Sequence, residues 1–494
     1  MSDTRPLVEE LVPAPDPFET CARFAGLPFL AFLDSATDPG HLGQHSYLTA
    51  DPFTAVRSQA LLTQQLVGGG RGGRWVRVEQ DALAHARGLL APHAAEPVAD
   101  VPPFQGGAAG YVGYDWGATL ERVPRPRYDD RGIPDVLLGL YDWAIAWDHA
   151  AGKAWAISTG MPETGAARAE RAARRLTFVK ERLAVGRDAW GLPERLHRFV
   201  AQGGPARPAR STAPSYPVPD LPGVRSNFTR PGYLEAVTRV IEYIFAGDIF
   251  QANLSQRLEA PLAGTPLELY RRLRRRNPAP FAAFLDYGDM VIASSSPERF
   301  LRVDDGRQVE TRPIKGTRPR GVGPEHDAAL ALALAESDKD RAENVMIVDL
   351  LRNDLSRVCR PGTVRVPELF AIEHYATVHH LVSTVVGELA PEYDAVDLLR
   401  AAFPGGSITG APKVRAMQII AELEPTARGV YCGAIGYVSV TGALDTNIVI
   451  RTYLVLGRDV YFQVGGGIVA DSDPEQEYRE TLDKARGLVA ALTP

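Results

Sequence analysis

The chain has 494 residues, 45% of them hydrophobic and 23% charged, and its formal net charge at pH 7 is −6. This weak acidity argues against nucleic acid and anionic membranes as partners, because both require concentrated positive charge. No apolar run approaches the ~20 residues of a membrane-spanning helix, and Ser2–Glu10 lacks the apolar core of a signal peptide. We therefore expect a cytoplasmic protein with a large core, built as two or three domains or as one interleaved unit.

The cysteine pattern excludes two further classes. Cys21, Cys359 and Cys432 lie far apart in the sequence and form no CxxC pair. Neither a disulfide framework nor a zinc site is indicated. None of the three lies in a glycine turn that would present a nucleophile, so each is expected to be a small buried hydrophobic residue.

A proline-rich stretch divides the chain. The first ~100 residues read as short strands and loops, and Pro162–Val185 has the apolar spacing of a helix. Gln202–Gly223 then carries six prolines separated by small polar residues, a composition typical of a linker. The predicted organisation is an N-terminal domain at 1–201, a linker at 202–223 and a catalytic domain at 224–494.

Beyond the linker the pattern is of mixed helices and strands. A helix is predicted from Pro231 to Gly247, and Ile249–Leu258 alternates like a strand. Its polar face carries Gln251 and Asn253, which we expect to line a pocket. No regular βαβ alternation is present, so the fold class is predicted to be α+β. The expected inward face of the helix consists of Leu234, Val237, Ile241, Ile244 and Phe245.

The stretch Glu310–Gly321 contains one lysine among three arginines. Its prolines and glycines predict a shaped loop. Lys315 is flanked by Arg312, Arg318 and Arg320, and nearby like charge disfavours an ammonium ion, which leaves more free amine to act as a nucleophile. A solvated loop lysine is the simpler alternative, but the surroundings favour a functional one.

Two helices each present acidic residues on one face. Asp340 and Glu343 are three residues apart, and Glu477, Glu480 and Lys484 share a face of the last helix, which Asp473 is expected to cap. Carboxylates from two helices are what Mg²⁺ requires, since it takes a few protein oxygens and keeps the other positions for water and substrate. Two solvated helix faces would give the same spacing.

Two further segments could bind an anion. Phe403–Met417 resembles a phosphate loop, but Pro412 removes a backbone donor, so a carboxylate is the more natural guest. Near the C-terminus, Asn447, Val449 and Arg451 are predicted to share a strand face opposite a run of three glycines. An arginine facing bare backbone amides could clamp a planar carboxylate. A surface arginine beside a flexible turn is the alternative.

These motifs together give the chain a resemblance to the chorismate-utilising enzymes, and within them to the aminodeoxychorismate synthase group. The resemblance covers nearly all of residues 225 to 490, and it is looser in the N-terminal half. The segments that carry it are Gly247–Gln256, Ser295–Glu298, Arg312–Arg318, Ala342–Leu355, His380–Ser383, Pro404–Met417, Gly429–Tyr437 and Gly465–Lys484.

The resemblance implies a fold and a set of site residues. The fold is two β-sheets packed as a sandwich with helices outside. Glu298 would be the general acid and then the base, and His380 would lie against the substrate ring. Mg²⁺ would be held by Glu343 and Glu480, with Asp340 and Glu477 completing the shell. The enolpyruvyl carboxylate would be bound by Tyr431, Arg451 and the amides of Gly465, Gly466 and Gly467, and weaker matches assign Thr409 and Lys484 to the substrate.

Two positions separate the relatives. Isochorismate and salicylate synthases resemble the chain but carry a lysine where Gln251 stands, so Gln251 implies ammonia rather than water as the nucleophile. Anthranilate synthases carry alanine where Lys315 stands. The implied reaction is amination of chorismate to 4-amino-4-deoxychorismate through a covalent lysine intermediate. The nearest alternative is anthranilate synthase component I, and a different class is a non-catalytic, regulatory protein that binds aromatic acids.

The resemblance also implies a partner. No glutamine-hydrolysing cysteine is recognisable, so ammonia is expected from a separate glutamine amidotransferase subunit. The Leu33–Ser35 region matches the tryptophan pocket of feedback-regulated relatives, which more usually carry glutamate before that serine.

Overall fold

Two large antiparallel sheets form the centre of the molecule. The computed structural model describes residues 5–36, 42–68, 73–184, 212–375 and 378–493. Within these ranges one sheet has 13 strands and the other 12. Side chains of both sheets interleave between them, including Ala31 and Ile292 from the first and Tyr111 and Ile435 from the second. The expected α+β sandwich is confirmed.

Sheet A is the 13-stranded sheet. Its strand order is β1-β10-β9-β3-β2-β14-β15-β24-β25-β13-β12-β11, and β21 pairs with β13 outside this path. The strands are β1 (Leu7–Glu10), β2 (Leu30–Asp34), β3 (His45–Thr49), β9 (Trp143–Asp148), β10 (Lys153–Ser158), β11 (Tyr216–Pro217), β12 (Arg225–Ser226), β13 (Gln251–Pro261), β14 (Phe281–Asp286), β15 (Met290–Ser296), β21 (Gly410–Ala411), β24 (Thr452–Leu456) and β25 (Asp459–Ile468).

Sheet B is the 12-stranded sheet. Its order is β18-β20-β17-β16-β23-β22-β7-β8-β4-β5-β6, and β19 pairs with β20 outside this path. The strands are β4 (Thr54–Gln59), β5 (Leu62–Val67), β6 (Arg74–Val78), β7 (Gly107–Val112), β8 (Val136–Tyr141), β16 (Arg299–Val303), β17 (Gln308–Thr311), β18 (Ile314–Pro319), β19 (Arg365–His374), β20 (Val378–Glu388), β22 (Ala434–Ser439) and β23 (Leu444–Ile448).

Helices cover the outer faces of both sheets. Those on sheet A include α4, α5 and α10, and those on sheet B include α2, α7 and α8. Each buries one apolar stripe, as an amphipathic helix on a sheet must. The helices are α1 (Pro17–Phe24), α2 (Ala82–Leu90), α3 (Gly165–Ala184), α4 (Arg230–Phe245), α5 (Pro266–Arg276), α6 (Pro324–Ala335), α7 (Asp338–Ser356), α8 (Ala395–Ala402), α9 (Lys413–Leu423) and α10 (Pro474–Leu492).

Both sheets contain strands from before and after the predicted linker. In sheet A, β2 pairs with β14, and in sheet B, β7 pairs with β22. The N-terminal residues therefore complete the same two sheets to which the later residues contribute. Of the predicted linker, residues 202–211 lie outside the described residues, and the remainder carries β11. The domain boundaries at 201 and 224 stay a prediction.

The structure changes two local expectations. The first ~100 residues contain the helices α1 and α2 beside their strands. Helix α4 buries Tyr233, Ala236, Val237 and Val240. Of the inward face expected for it, Val237 is buried and Leu234, Ile241 and Ile244 are partly buried against the same core, whereas Phe245, at the end of the helix, is 76% exposed.

The three cysteines lie in the interior of the fold. Cys21, Cys359 and Cys432 are all buried and free, as expected. Across the described ranges, no helix is both long and apolar enough to cross a bilayer.

Candidate active site

Side chains from sheet A, sheet B and helix α7 meet at one site, which we call the cleft. Gln251 begins β13 of sheet A, Lys315 lies on β18 of sheet B, and Glu343 projects from α7. The Nζ atom of Lys315 lies 2.6 Å from Oε1 of Glu343, and Nε2 of Gln251 donates to the same oxygen. Lys315 and Gln251 are 28 and 92 positions away from Glu343 in the sequence, so only the fold brings the three side chains together.

Lys315 lies on a strand rather than in a loop. β18 pairs with β20 and its register shifts between Ile314 and Thr317, at the position of Lys315. This β-bulge re-aims the lysine side chain away from the regular ladder. Gly316 adopts a φ of +86°, and a Cβ there would approach the Asp340 carboxyl at 2.9 Å. The glycine therefore allows β18 to lie close to α7.

The arginines around Lys315 do not act on it as expected. Each has its own acidic partner, because the fold places a carboxylate opposite every guanidinium. The expectation that their positive charge bears on the Lys315 amine is therefore wrong, and the group facing the amine is the Glu343 carboxylate. The arginine partners are Glu373 and Glu368 for Arg312, Asp340 at 2.9 Å for Arg318, and Asp327 at 2.6 Å for Arg320.

Glu343 is held in its charged form. Burial alone would raise the pKa of this carboxyl, but the Lys315 ammonium, with the Gln251 amide and the charge of Lys484, outweighs burial and lowers the pKa. The other amide atom, Oε1 of Gln251, is buried and has no hydrogen-bond partner in the described structure. It is a buried acceptor without a donor.

Glu298 lies across the cleft from this group. It is 4% exposed, and burial raises the pKa of its carboxyl to about 7. A hydrogen bond from Ser407, the charge of Lys315 and the backbone N–H of Ile314 act in the opposite direction. A carboxyl with a pKa near neutrality can both deliver and accept a proton, which fits the acid and base roles predicted for Glu298.

His380 presents one free nitrogen to the cleft. Its Nδ1 lies 2.8 Å from the Thr317 hydroxyl, whereas Nε2 is buried without a partner. Burial and the nearby Arg451 charge lower the pKa of His380 to about 3. The imidazole is therefore neutral at physiological pH, and it can contact a ring or exchange one hydrogen bond but cannot serve as a cation.

Arg451 lies between the two sheets, not on a strand face. β23 of sheet B ends at Ile448 and β24 of sheet A begins at Thr452, so the chain crosses from one sheet to the other here. Arg451 has a φ of +52°, which breaks the alternation that was expected to align it with Asn447 and Val449. Its guanidinium makes no hydrogen bond within the described residues, and burial lowers its pKa against the effect of Glu298.

The glycine run borders the cleft along β25. Gly465, Gly466 and Gly467 pair with Ser255, Leu254 and Asn253 on β13. On the opposite edge, pairing with β24 ends at Phe462, so no strand covers the glycines there. Gly467 is partly exposed, and the predicted role of the glycine amides in binding a carboxylate stays a prediction.

Because these glycines have no side chains, acidic side chains of neighbouring helices can lie close to their backbone. A Cβ on Gly467 would collide with Nε2 of Gln251 and lie 2.6 Å from Oε1 of Glu343. A Cβ on Gly466 would lie 3.0 Å from Glu477 and 3.5 Å from Glu480. Carboxylates from α7 and α10 thus lie against two adjacent glycines.

The carboxylates predicted to bind metal are each held by an internal partner. Besides the pair that Glu343 makes with Lys315, Glu480 lies 2.6 Å from Lys484, Asp340 pairs with Arg318, and Glu477 accepts from Ser472 at 2.6 Å. Among the described residues, no group of three or more His, Cys, Asp or Glu converges as a metal site. The donor chemistry nevertheless fits Mg²⁺: carboxylate oxygens from two helices, beside backbone free of side chains.

Comparison with known proteins identifies the family. The protein family described as "chorismate binding enzyme" matches residues 41–490 of this chain. The chain belongs to the chorismate-binding enzymes. It is 41% identical to aminodeoxychorismate synthase component 1 of Salmonella typhimurium over 470 residues, which cover 94% of this chain and 93% of that protein.

Relatives with a second activity are equally similar to this chorismate-binding enzyme. Anthranilate synthase component 1 of Thermus thermophilus is 43% identical over 402 residues, 80% of this chain and 79% of that protein. The crystal structure of anthranilate synthase component I from Streptococcus pneumoniae superposes with a TM-score of 0.74 at 32% identity, covering 91% of this chain and 92% of that one. Overall similarity therefore establishes the family and leaves the choice between the two reactions to the site.

Two residues that were assigned to the substrate, Thr409 and Lys484, make hydrogen bonds within this chorismate-binding enzyme. The Thr409 hydroxyl donates to the Gly405 carbonyl at 2.9 Å, so it closes its own turn. The Lys484 ammonium donates to the Gly465 carbonyl at 2.9 Å as well as pairing with Glu480. Tyr431 is 7% exposed and lies beside the Arg428 guanidinium. Their roles toward substrate stay predictions.

One residue of the site was not predicted. The Ser407 hydroxyl donates to Oε1 of Glu298 at 2.6 Å, and both side chains are buried. Ser407 lies two positions before Thr409, inside a segment interpreted only as an anion-binding turn. A hydroxyl in a tight glycine turn was the available signal, but nothing in the sequence shows that this turn meets Glu298, 109 positions away.

Proposed function

We propose that this protein is the chorismate-aminating subunit of an aminodeoxychorismate synthase. It would convert chorismate and ammonia to 4-amino-4-deoxychorismate, a precursor of p-aminobenzoate and folate. The observation that carries the proposal is the position of Lys315: a primary amine, 9% exposed, in a cleft with Glu298, Glu343 and His380. Of the side chains gathered in this cleft, it is the one suited to form a covalent bond with a ring carbon.

The proposed reaction has two substitutions. In the first, the Lys315 nitrogen attacks ring C2, both ring double bonds shift by one position, and the bond between C4 and its hydroxyl breaks. Glu298 delivers its proton to the departing hydroxyl, which leaves as water, and its carboxylate then takes the proton released by the amine. In the second, ammonia attacks C4, both ring double bonds shift back and the bond between C2 and the lysine breaks. Glu298 gives its proton to the departing lysine nitrogen and takes one from the new C4 ammonium, which restores the free lysine amine. The enolpyruvyl group is retained throughout.

The remaining residues bind and orient the substrate. Arg451 offers a guanidinium with no internal partner, and the uncovered edge at Gly465–Gly467 offers backbone amides, so both suit the enolpyruvyl carboxylate. Tyr431 would contribute to the same carboxylate site, and the neutral His380 would pack against the ring. Oε1 of Gln251 is an unpartnered acceptor beside Lys315, suited to hold ammonia through one of its N–H bonds.

Mg²⁺ is the proposed cofactor. Glu343 and Glu480 would hold it, with Asp340 and Glu477 around them, and when bound it would supply positive charge for the ring carboxylate of chorismate. The chain's own contribution is to place that carboxylate and to keep Lys315, Glu298 and His380 on the ring.

The ammonia is proposed to come from a separate glutamine amidotransferase subunit. Hydrolysing glutamine by the usual covalent route requires an accessible thiolate. Burial raises the pKa of all three cysteines, to about 11 for Cys359 and about 12 for Cys432. None of them suits that chemistry. The surroundings proposed for this reaction are cytoplasmic, without nucleic acid or membrane.

The decisive experiment is product identification. The protein is incubated with chorismate, Mg²⁺ and ammonium, and the products are separated and identified by mass. We expect aminodeoxychorismate without pyruvate release. Fluorescent anthranilate with stoichiometric pyruvate would establish the alternative that the Thermus thermophilus relative represents, and unconsumed chorismate that still binds would point to a non-catalytic regulatory protein.

A further inference from the structure

Ser407 and Glu298 form a buried contact that none of the proposed steps uses. The Ser407 Oγ lies 2.6 Å from Oε1 of Glu298, and the two residues are 9% and 4% exposed. A hydroxyl that donates to a carboxylate in a buried site forms a strong, directional bond, because water does not compete for it.

The turn that carries Ser407 is held tightly on both sides. Ser407 lies in the short helical turn Gly406–Ile408. A Cβ on Gly405 would lie 2.7 Å from the Ile448 side chain, and one on Gly406 would lie 2.8 Å from Leu350 of α7. The glycines let this turn pack closely against the Ile448 and Leu350 side chains, so the turn that carries the Ser407 hydroxyl lies against the core.

The backbone of Glu298 is fixed as well. Its N–H donates to the Ser296 hydroxyl at 3.3 Å, and its carbonyl accepts from the Ile448 N–H at 3.0 Å. The freedom left to Glu298 is rotation of its side chain. The Ser407 hydroxyl and the Ile314 N–H, which directly precedes Lys315, both donate to the carboxyl and restrict that rotation.

We propose that Ser407 is a positioning residue for the reaction, holding the Glu298 carboxyl in one orientation beside the strand that carries Lys315. Ser407 would not touch the substrate. It would act through Glu298, by keeping one carboxyl oxygen occupied and directing the other oxygen to the reacting groups. This inference rests on the acid and base role that the proposed function assigns to Glu298.

The contact has a predictable effect on proton transfer. The charged groups that bear on Glu298 are Lys315 and Arg451, and the titratable Cys432 lies within electrostatic reach of it. Burial raises the pKa of Glu298, and the Ser407 hydrogen bond is the first influence that lowers it. Removing the hydroxyl therefore raises the pKa further and extends the protonated form to higher pH.

The experiment measures chorismate consumption against pH in the full-length protein with Mg²⁺ and ammonium. For Ser407→Ala we expect kcat to fall about tenfold to a hundredfold with little change in KM, since a misoriented acid or base loses part of a typical 10²–10⁴-fold contribution. The alkaline limb of the kcat/KM profile is expected to move to higher pH. Ser407→Thr, which keeps the hydroxyl, should restore both the rate and the limb.

Two controls separate positioning from packing. Ser407→Cys preserves volume but is a weak donor, so it should behave like Ser407→Ala even if the alanine variant folds poorly. Ser296→Ala removes a hydroxyl that accepts from the Glu298 N–H and donates to the Ile448 carbonyl but does not contact the Glu298 carboxyl, so it should leave the alkaline limb in place. Two outcomes would overturn the proposal. One is a loss of rate in Ser407→Ala and Ser407→Cys that is uniform across pH, and the other is a fully active Ser407→Cys. Because chorismate consumption is followed, this outcome is independent of which product forms.

Discussion

The Nζ atom of Lys315 lies 2.6 Å from Oε1 of Glu343, so the proposed nucleophile is ion-paired with a proposed metal ligand. Both side chains are nearly buried, at 10% and 13% exposure. A divalent cation that takes Glu343 must compete with the lysine ammonium for the same oxygen. If Glu343 binds Mg²⁺ as proposed, the pair would link metal binding to the release of the amine.

Removing the lysine should strengthen metal binding. In Lys315→Ala the Glu343 carboxylate loses its cationic partner, and we expect Mg²⁺ to bind about tenfold more tightly, equivalent to ~1.4 kcal/mol. Lys315→Arg keeps a cation at this position and should not show the gain. Calorimetric titration of the substrate-free protein with Mg²⁺ measures both, and equal affinities in the two variants would show that lysine and metal do not compete.

The same two variants test covalent catalysis. Neither alanine nor arginine supplies a nucleophilic amine, because a guanidinium stays protonated. We expect aminodeoxychorismate formation to fall by about a hundredfold or more in both. Product formation is followed by chromatography with saturating ammonium, and the circular dichroism spectrum confirms the fold. Turnover near the wild-type rate in Lys315→Arg, which retains the charge, would refute a covalent lysine.

Glu298 should make stability depend on pH in a defined direction. Its ordinary pKa of 4.5 is raised to about 7 by burial, so the folded protein holds this proton more tightly than the unfolded chain. Its contribution to stability is complete below pH 4.5 and is lost as the pH rises through about 7.

Glu298→Gln removes this titration. The variant is expected to gain stability over the wild type at pH 8.5, on the order of 3 kcal/mol, and to show little difference at pH 4.5. Denaturant unfolding at the two pH values measures the effect. The exposed residue Glu392 provides the control, since Glu392→Gln should show no such difference. A pH-independent gain in Glu298→Gln would mean that its carboxylate is not destabilised by burial.

Local patterns in the sequence predicted the elements better than their contacts. The cap at Asp473 occupies its predicted place, because capping depends on neighbouring residues. The bulge at Lys315 and the crossing at Arg451 did not follow from alternation, since a strand pairing partner and a change of sheet are set by residues far away in the chain. The charge pattern near Lys315 gave a misleading expectation for the same reason, because the carboxylates that pair with the arginines come from other elements.

The residue-by-residue resemblance supplied what local patterns could not. Glu298, Lys315, Glu343 and His380 are remote in sequence, yet the fold gathers them in one cleft. Ser407 shows the limit of this approach, because it acts on another protein side chain and carries no signature of its own.

A methyl group on Gly467 should disable the site without unfolding the protein. The added Cβ would collide with Gln251 and crowd Glu343, so the side chains around Lys315 must shift. We expect Gly467→Ala to lower kcat/KM for chorismate by at least about tenfold, since misplacing reacting groups by 1 Å can cost a hundredfold. Gly88→Ala is the matched control, because its Cβ meets nothing within 4 Å and lies in α2. Equal activity in both variants would place Gly467 outside the working cleft.

The residues after the linker should not fold alone. A fragment of residues 224–494 would leave β14 without β2 and β22 without β7, exposing two strand edges in the middle of the sheets. It would also lose the pairing of Arg257 with Asp130, in which both N–H···O distances are 2.8 Å and both side chains are buried. An unpaired buried charge typically costs about 3–5 kcal/mol.

Expression of the fragment with and without residues 1–201 tests this dependence. We expect the fragment alone to aggregate and co-expression to return a soluble complex that consumes chorismate. In the full chain, Asp130→Ala should lower the free energy of unfolding by about 3–5 kcal/mol, while unfolding remains a single transition. A soluble, active 224–494 fragment would show instead that the later residues form an independent domain, because their sheets would then close without strands from the N-terminal half.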